Sequence, residues 1–192
     1  MNRSVMPKSA QIGKFASAFT FIFVTTVSAL AWLRILFGGW SPLNPRDITW
    51  FQTGDNFAAY VAQLFYLQDS WRFPLLENPN YGGFLTSSIN LTGPSPILAI
   101  TLKLLRVNPE LQFYGYWILV NFILQLSFAY ILLRRLDLSF SQALLAMNLF
   151  ITPFLLFRTL NHFWLISHFL LIWTLDITVR SIIRKSKLSS KE

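Results

Sequence analysis

Four apolar stretches leave this chain few ways to fold: Phe15 to Phe37, Phe113 to Leu133, Ser139 to Phe157, and Phe163 to Ile183. A helix crosses the ~30 Å hydrocarbon layer of a bilayer in about 20 residues, and each stretch reaches that length. In lipid every backbone N–H and C=O must be satisfied within the protein, which a helix does unaided. The expected fold class is therefore all-α, a polytopic membrane protein with four transmembrane helices in one membrane domain. A chain of 192 residues with 54% hydrophobic and only 12% charged side chains is also too apolar for a soluble domain with a single core. A fifth run, Pro96 to Val107, is too short to span and carries Lys103 and Arg106.

Charge placement sets the expected orientation, because lysine and arginine are retained on the cytoplasmic side. With both termini cytoplasmic, ten of the sixteen basic residues but only Asp137, Asp176 and Glu192 of the acidic ones lie inside. The external segments are nearly balanced, and residues 38–112 form one long first external loop. The net charge of +8 does not indicate nucleic acid, since the basic residues are scattered as membrane flanks that contact lipid headgroups. The chain has no cysteine, which excludes disulfides and thiolate metal sites. Ala29 to Ala31 imitates a leader-cleavage site, but the apolar run continues to Phe37, so an uncleaved anchor is expected.

Within the loop, Phe57, Val61, Leu64 and Phe65 recur at helical spacing, giving an interfacial helix over residues 56–68. Pro74, Pro79, Gly82 and Gly83 then make a turn-rich connection. A second interfacial helix is expected over 96–107, with Lys103 and Arg106 snorkelling toward headgroups. Asn121, Gln125 and Asn148 are expected to hydrogen-bond between spans, and Pro153 to kink the third. The basic tail after Ile183 reads as solvated.

Chemistry concentrates outside the membrane. Asp55 is the leading catalytic candidate, as a base or as the holder of a divalent cation, Mg or Mn, beside a phosphate leaving group. It also directly precedes a helix, where aspartate is a favoured N-cap. Asp47, and Glu77 and Tyr81 in "ENPNYGG", are secondary candidates. The second external connection, "FRTLNHF", brings Arg158 and His162 to the same face, where both suit a phosphate. His162 and His168 are six residues apart, on different faces of one helix, so they do not form a metal pair. Asp176 lies within the fourth span and is expected to pair with Arg180 one turn later.

Four segments taken in order, "GDNFAAYVAQLFYLQDSWRFPLLENPNYG", "SSINLTGPSPILAITLKLL", "FYGYWILVNFILQLSFAYILLRRL" and "FRTLNHFWLISHFLLIW", resemble the amino-terminal part of GT-C polytopic membrane glycosyltransferases. Within that class the chain is most similar to a bacterial branch known only as a domain of unknown function. The resemblance implies sugar transfer from a polyprenyl-phosphate donor on the outer face of a bacterial cytoplasmic membrane. It maps the class's loop carboxylate to Asp55, and donor-phosphate contacts to Arg158 and His162. Class members usually have eight or more spans, so this chain is expected to be an incomplete module that works with a carboxy-terminal partner chain. The competing expectation is a non-catalytic scaffold or accessory subunit of cell-envelope assembly.

Overall fold

The computed structural model describes residues 8–52, 54–82, 87–92, 95–151, 162 and 166–189. The first helix, α1 (Lys8–Phe37), is 30 residues long, and its Ala16–Phe37 portion is apolar and long enough to cross a membrane. It stops at Gly38, whose φ of 66° provides the left-handed turn that commonly closes a helix. Short 3-10 turns at Ser41–Leu43 and Thr49–Phe51 lead to α2 (Gly54–Gln68). Next come a two-residue hairpin, β1 (Glu77–Asn78) against β2 (Ser87–Ser88), and then α3 (Ile89–Thr92) and α4 (Pro96–Leu104). The second membrane-length helix is α5 (Tyr114–Arg135), followed by α6 (Phe140–Ala146), a 3-10 turn at Met147–Phe150, and α7 (Phe169–Ser189).

The chain is thus mostly helical, and among the described residues two helices are long and apolar enough to cross a membrane. α5 organises the core: Ile118, Phe122, Leu126 and Ala129 are buried on it, together with Ala29 and Leu33 of α1, Ala143 of α6 and Ile172 of α7. Polar side chains add cross-links that apolar packing cannot specify. The indole of Trp32 donates to Asn148 Oδ1 at 3.1 Å, and Gln125 Nε2 donates to the Phe150 carbonyl at 2.8 Å. Asn121, expected to bond between helices, instead donates to Trp117 one turn back in α5.

The two later apolar stretches depart from expectation. Among the described residues of the third, α-helix runs to Ala146 and tightens to 3-10 geometry over Met147–Phe150; Pro153 lies outside the described residues. The start of α6 is fixed by Ser139 and Gln142, which cap each other reciprocally. In the fourth, α7 begins at Phe169 rather than near Phe163 and continues to Ser189, so the basic segment after Ile183 is helical as far as Ser189. Lysine and arginine are good helix formers, and nothing in that segment breaks the ladder.

The 38–112 segment has a small core of its own, made by Ala62, Tyr66, Ile89 and Ala99 with Leu67, Leu76 and Tyr81 packed against them. Its helices bury one side and leave large apolar side chains exposed on the other. On α2 the buried side is Asn56, Ala59, Tyr60, Gln63 and Tyr66, and Phe57 and Phe65 point outward. On α4, Ala99 and Leu102 are buried while Ile97 and Leu104 are exposed. The helix also ends at Leu104, three residues early, because Arg106 adopts a left-handed φ of 51°.

Lys103 does not snorkel. It is only 7% exposed, and its ammonium donates to the Tyr66 carbonyl at 2.7 Å and the Ser70 carbonyl at 3.3 Å, above the Tyr66 ring. The lysine thereby closes the carboxy-terminal end of α2, where orphan carbonyls and the helix dipole favour a cation. Burial pulls its pKa below the usual lysine value, with Asp69 opposing and Arg72 assisting. The folded form therefore releases this proton at lower pH than the unfolded form, so stability should rise with pH through the window just below 10.5. Lys103→Met should cost about 1–2 kcal/mol at neutral pH by stranding the Tyr66 carbonyl, and should flatten that alkaline rise. Thermal unfolding of the two proteins across the alkaline range checks both effects.

Candidate functional site

The chain reverses into α2 at Gly54, whose φ of 66° suits glycine, and this sets Asp55 in the first turn of the helix. The carboxylate sits at the positive end of the α2 dipole. Because α2 begins at Gly54, Asp55 is inside the helix and not its N-cap, which corrects the capping expectation. The side chain is 67% exposed, so its oxygens face outward for chemistry. His162 Nδ1 lies 3.5 Å from Asp55 Oδ2, although the two residues are more than a hundred positions apart in sequence. At 37% side-chain exposure, His162 also remains open to solvent. Two groups singled out separately in the sequence therefore meet at one place.

Tyr81 approaches the same helix. Its hydroxyl lies 3.4 Å from the Ala58 carbonyl, one turn beyond Asp55, and its ring packs on Phe65 with centroids 6.1 Å apart. Glu77 is held in the hairpin, paired in register with Ser88. Asp47 is occupied elsewhere: Oδ1 accepts from the Thr49 amide at 2.9 Å and the Thr49 hydroxyl at 2.6 Å. Those bonds hold its carboxyl below the usual aspartate range, and its role is to shape the Asp47 to Thr49 turn. Arg158 lies outside the described residues.

Other tyrosines fix the platform beneath α2. Tyr60 donates to the Glu110 carbonyl at 2.8 Å, Tyr66 to the Leu75 carbonyl at 2.7 Å, and Tyr114 to the Ala59 carbonyl at 3.3 Å. Burial raises the Tyr60 and Tyr66 phenols above their usual pKa, so they act as stable donors and not as bases. Gln112 adds bonds to the carbonyls of Pro42 at 3.0 Å and Asn44 at 2.7 Å, tying the start of the segment to its end. None of these residues carried a sequence signal beyond being polar in an apolar context.

Among the described residues no group of three or more His, Cys, Asp or Glu gathers. The Asp55 carboxylate suits a Mg²⁺-type ion where phosphate oxygens and water complete the shell, whereas an imidazole nitrogen is a poor ligand for this hard ion.

Fold and site define a largely helical protein with two membrane-length helices and a structured segment that displays an aspartate–histidine pair. Residues 26–190 match the family described as a domain of unknown function, DUF6311, and the chain belongs to that family. The match spans both members of the pair. No curated protein and no solved structure matches the chain.

Proposed function

We propose that this protein is a GT-C-like membrane glycosyltransferase module that moves a sugar from a polyprenyl-phosphate donor on the outer membrane face. The observation that carries the reading is the 3.5 Å approach of His162 to Asp55 at the amino-terminal end of α2. Asp55 takes the proton of an acceptor hydroxyl as its oxygen bonds to the anomeric carbon. The bond from that carbon to the donor phosphate breaks, and polyprenyl phosphate leaves. His162 donates a hydrogen bond to the leaving phosphate, and Arg158 supplies a cationic contact. A divalent cation, where used, would be held by Asp55 and the donor's phosphate oxygens and would offset their charge.

Four spans with cytoplasmic termini remain part of this reading. Large apolar side chains are exposed on every helix concerned: Phe19 and Phe23 on α1, Val120 on α5, Leu145 on α6, Leu171 and Ile182 on α7. Apolar surface this extensive supports a lipid environment over water. The outward Phe57 and Phe65 of α2 similarly support its lying on the membrane surface.

Membranes containing the protein should transfer sugar from a polyprenyl-phosphate donor. Asp55→Asn should reduce transfer at least about 100-fold, the lower range for losing a general base, with expression unchanged. His162→Gln should lower the rate about tenfold. Full transfer by the Asp55 variant would remove the carboxylate from the mechanism.

A further inference from the structure

The end of α5 opposite the Asp55 pair carries a basic cluster that the proposed transfer does not use. Arg134 and Arg135 close α5, and Arg180 and Arg184 stand one turn apart on α7. Asp176, only 1% exposed, draws the two helices together: Arg135 Nε lies 2.5 Å from Oδ1 and Arg180 Nη2 lies 2.8 Å from Oδ2. Counting Asp137 as well, four arginines face two carboxylates, and positive charge is left over. Arg134 is exposed and spends one guanidinium N–H on the Leu138 carbonyl at 2.7 Å, which closes the helix and neutralises its negative end. Four further N–H groups of that side chain point elsewhere.

Beside these arginines is a groove of about 350 Å³ lined by Tyr130, Ile131, Arg134 and Arg135. Its composition changes along the helix. Ile131, 37% exposed, and the Tyr130 ring form an apolar wall one turn before the guanidinium groups. A ligand matching both parts is anionic at one end and hydrocarbon at the other.

We propose that this groove is a binding site for an anionic phospholipid, with the headgroup phosphate on Arg134 and an acyl chain along Ile131 and Tyr130. Arginine presents a planar fork to phosphate, and basic clusters at the cytoplasmic ends of membrane helices attract anionic lipid. Arg135 is engaged with Asp176 and positions the cluster; Arg134 carries recognition. The site rests on the reading of α5 as a membrane span whose Arg135 end is cytoplasmic.

The test uses the full chain purified in detergent and reconstituted in nanodiscs of phosphatidylcholine with or without phosphatidylglycerol. Native mass spectrometry after delipidation should show phosphatidylglycerol retained about tenfold over phosphatidylcholine. Arg134→Gln should abolish that preference. Ile131→Trp, which fills the groove and keeps every charge, should abolish it too, so the test survives if the arginine variant fails to fold. Arg46→Gln, an exposed arginine in the 38–112 segment, should leave retention unchanged. Equal retention of both lipids, an undiminished preference in Ile131→Trp, an equal loss in Arg46→Gln, or displacement of the lipid by inorganic phosphate would each overturn the site. Extraction of the protein from membranes by alkaline carbonate would instead show that the membrane reading has failed.

Discussion

Replacing Asp176 with alanine should lower stability by about 3 kcal/mol, the lower end of the range for removing one partner of a buried ion pair. The carboxylate is 1% exposed and is held by Arg135 of α5 and Arg180 of α7, and its removal leaves Arg135, whose side chain is 28% exposed, without its anion. Arg180 is 56% exposed and regains water, so Arg180→Ala should cost under about 1 kcal/mol. Thermal unfolding in detergent separates the two: a large drop for Asp176→Ala and a small one for Arg180→Ala. Equal, small effects would mean that the carboxylate does not hold α7 to α5. The same pairing explains how α7 tolerates a buried acid among apolar residues, since a buried charge persists only when paired.

Gly115→Ala should destabilise by about 3 kcal/mol, the upper end of overpacking costs. A methyl group there would stand 1.8 Å from the Pro42 carbonyl oxygen and 2.3 Å from its carbon, and backbone atoms cannot rotate away. The 3-10 turn at Ser41–Leu43 is pinned against α5 by Gln112, so relief requires moving α5 or breaking that bond. Helix propensity acts in the opposite direction, favouring alanine by about 1 kcal/mol in a helix interior. The sign of the effect therefore decides: a stabilised variant would show that the turn does not press on α5. Gly39→Ala provides the control, because its nearest atom would be 3.9 Å away and the change should be near neutral.

The two helices most legible in the sequence, α1 and α5, are those whose apolar runs each reach 22 residues. Length and hydropathy suffice there because neither depends on a distant partner. Where the outcome depended on tertiary contacts, local pattern misled. Lys103 looked like a snorkelling residue, yet the end of α2 lies within reach of its ammonium, a contact between residues 37 positions apart. Asn56 and Gln63 are polar residues of α2, yet both are buried, which helical spacing alone does not show. Asp176 was paired with Arg180 by helical spacing, and Arg135, from a different helix, was invisible to that rule. Asp55 and His162 were each suspected on chemical grounds, but no spacing argument brings them to 3.5 Å.

The proposed transfer requires that the segment carrying Asp55 face away from the cytoplasm while the turn after α5 faces into it. The absence of native cysteine makes this directly measurable by single substitutions. Arg72→Cys places a thiol in the exposed part of the 38–112 segment, and Leu136→Cys places one at a position 52% exposed beside Arg134 and Arg135. In intact spheroplasts, a membrane-impermeant maleimide should label the Arg72→Cys protein at once and the Leu136→Cys protein only after permeabilisation. Labelling of Leu136→Cys in sealed spheroplasts, or protection of Arg72→Cys, would contradict an external Asp55 site.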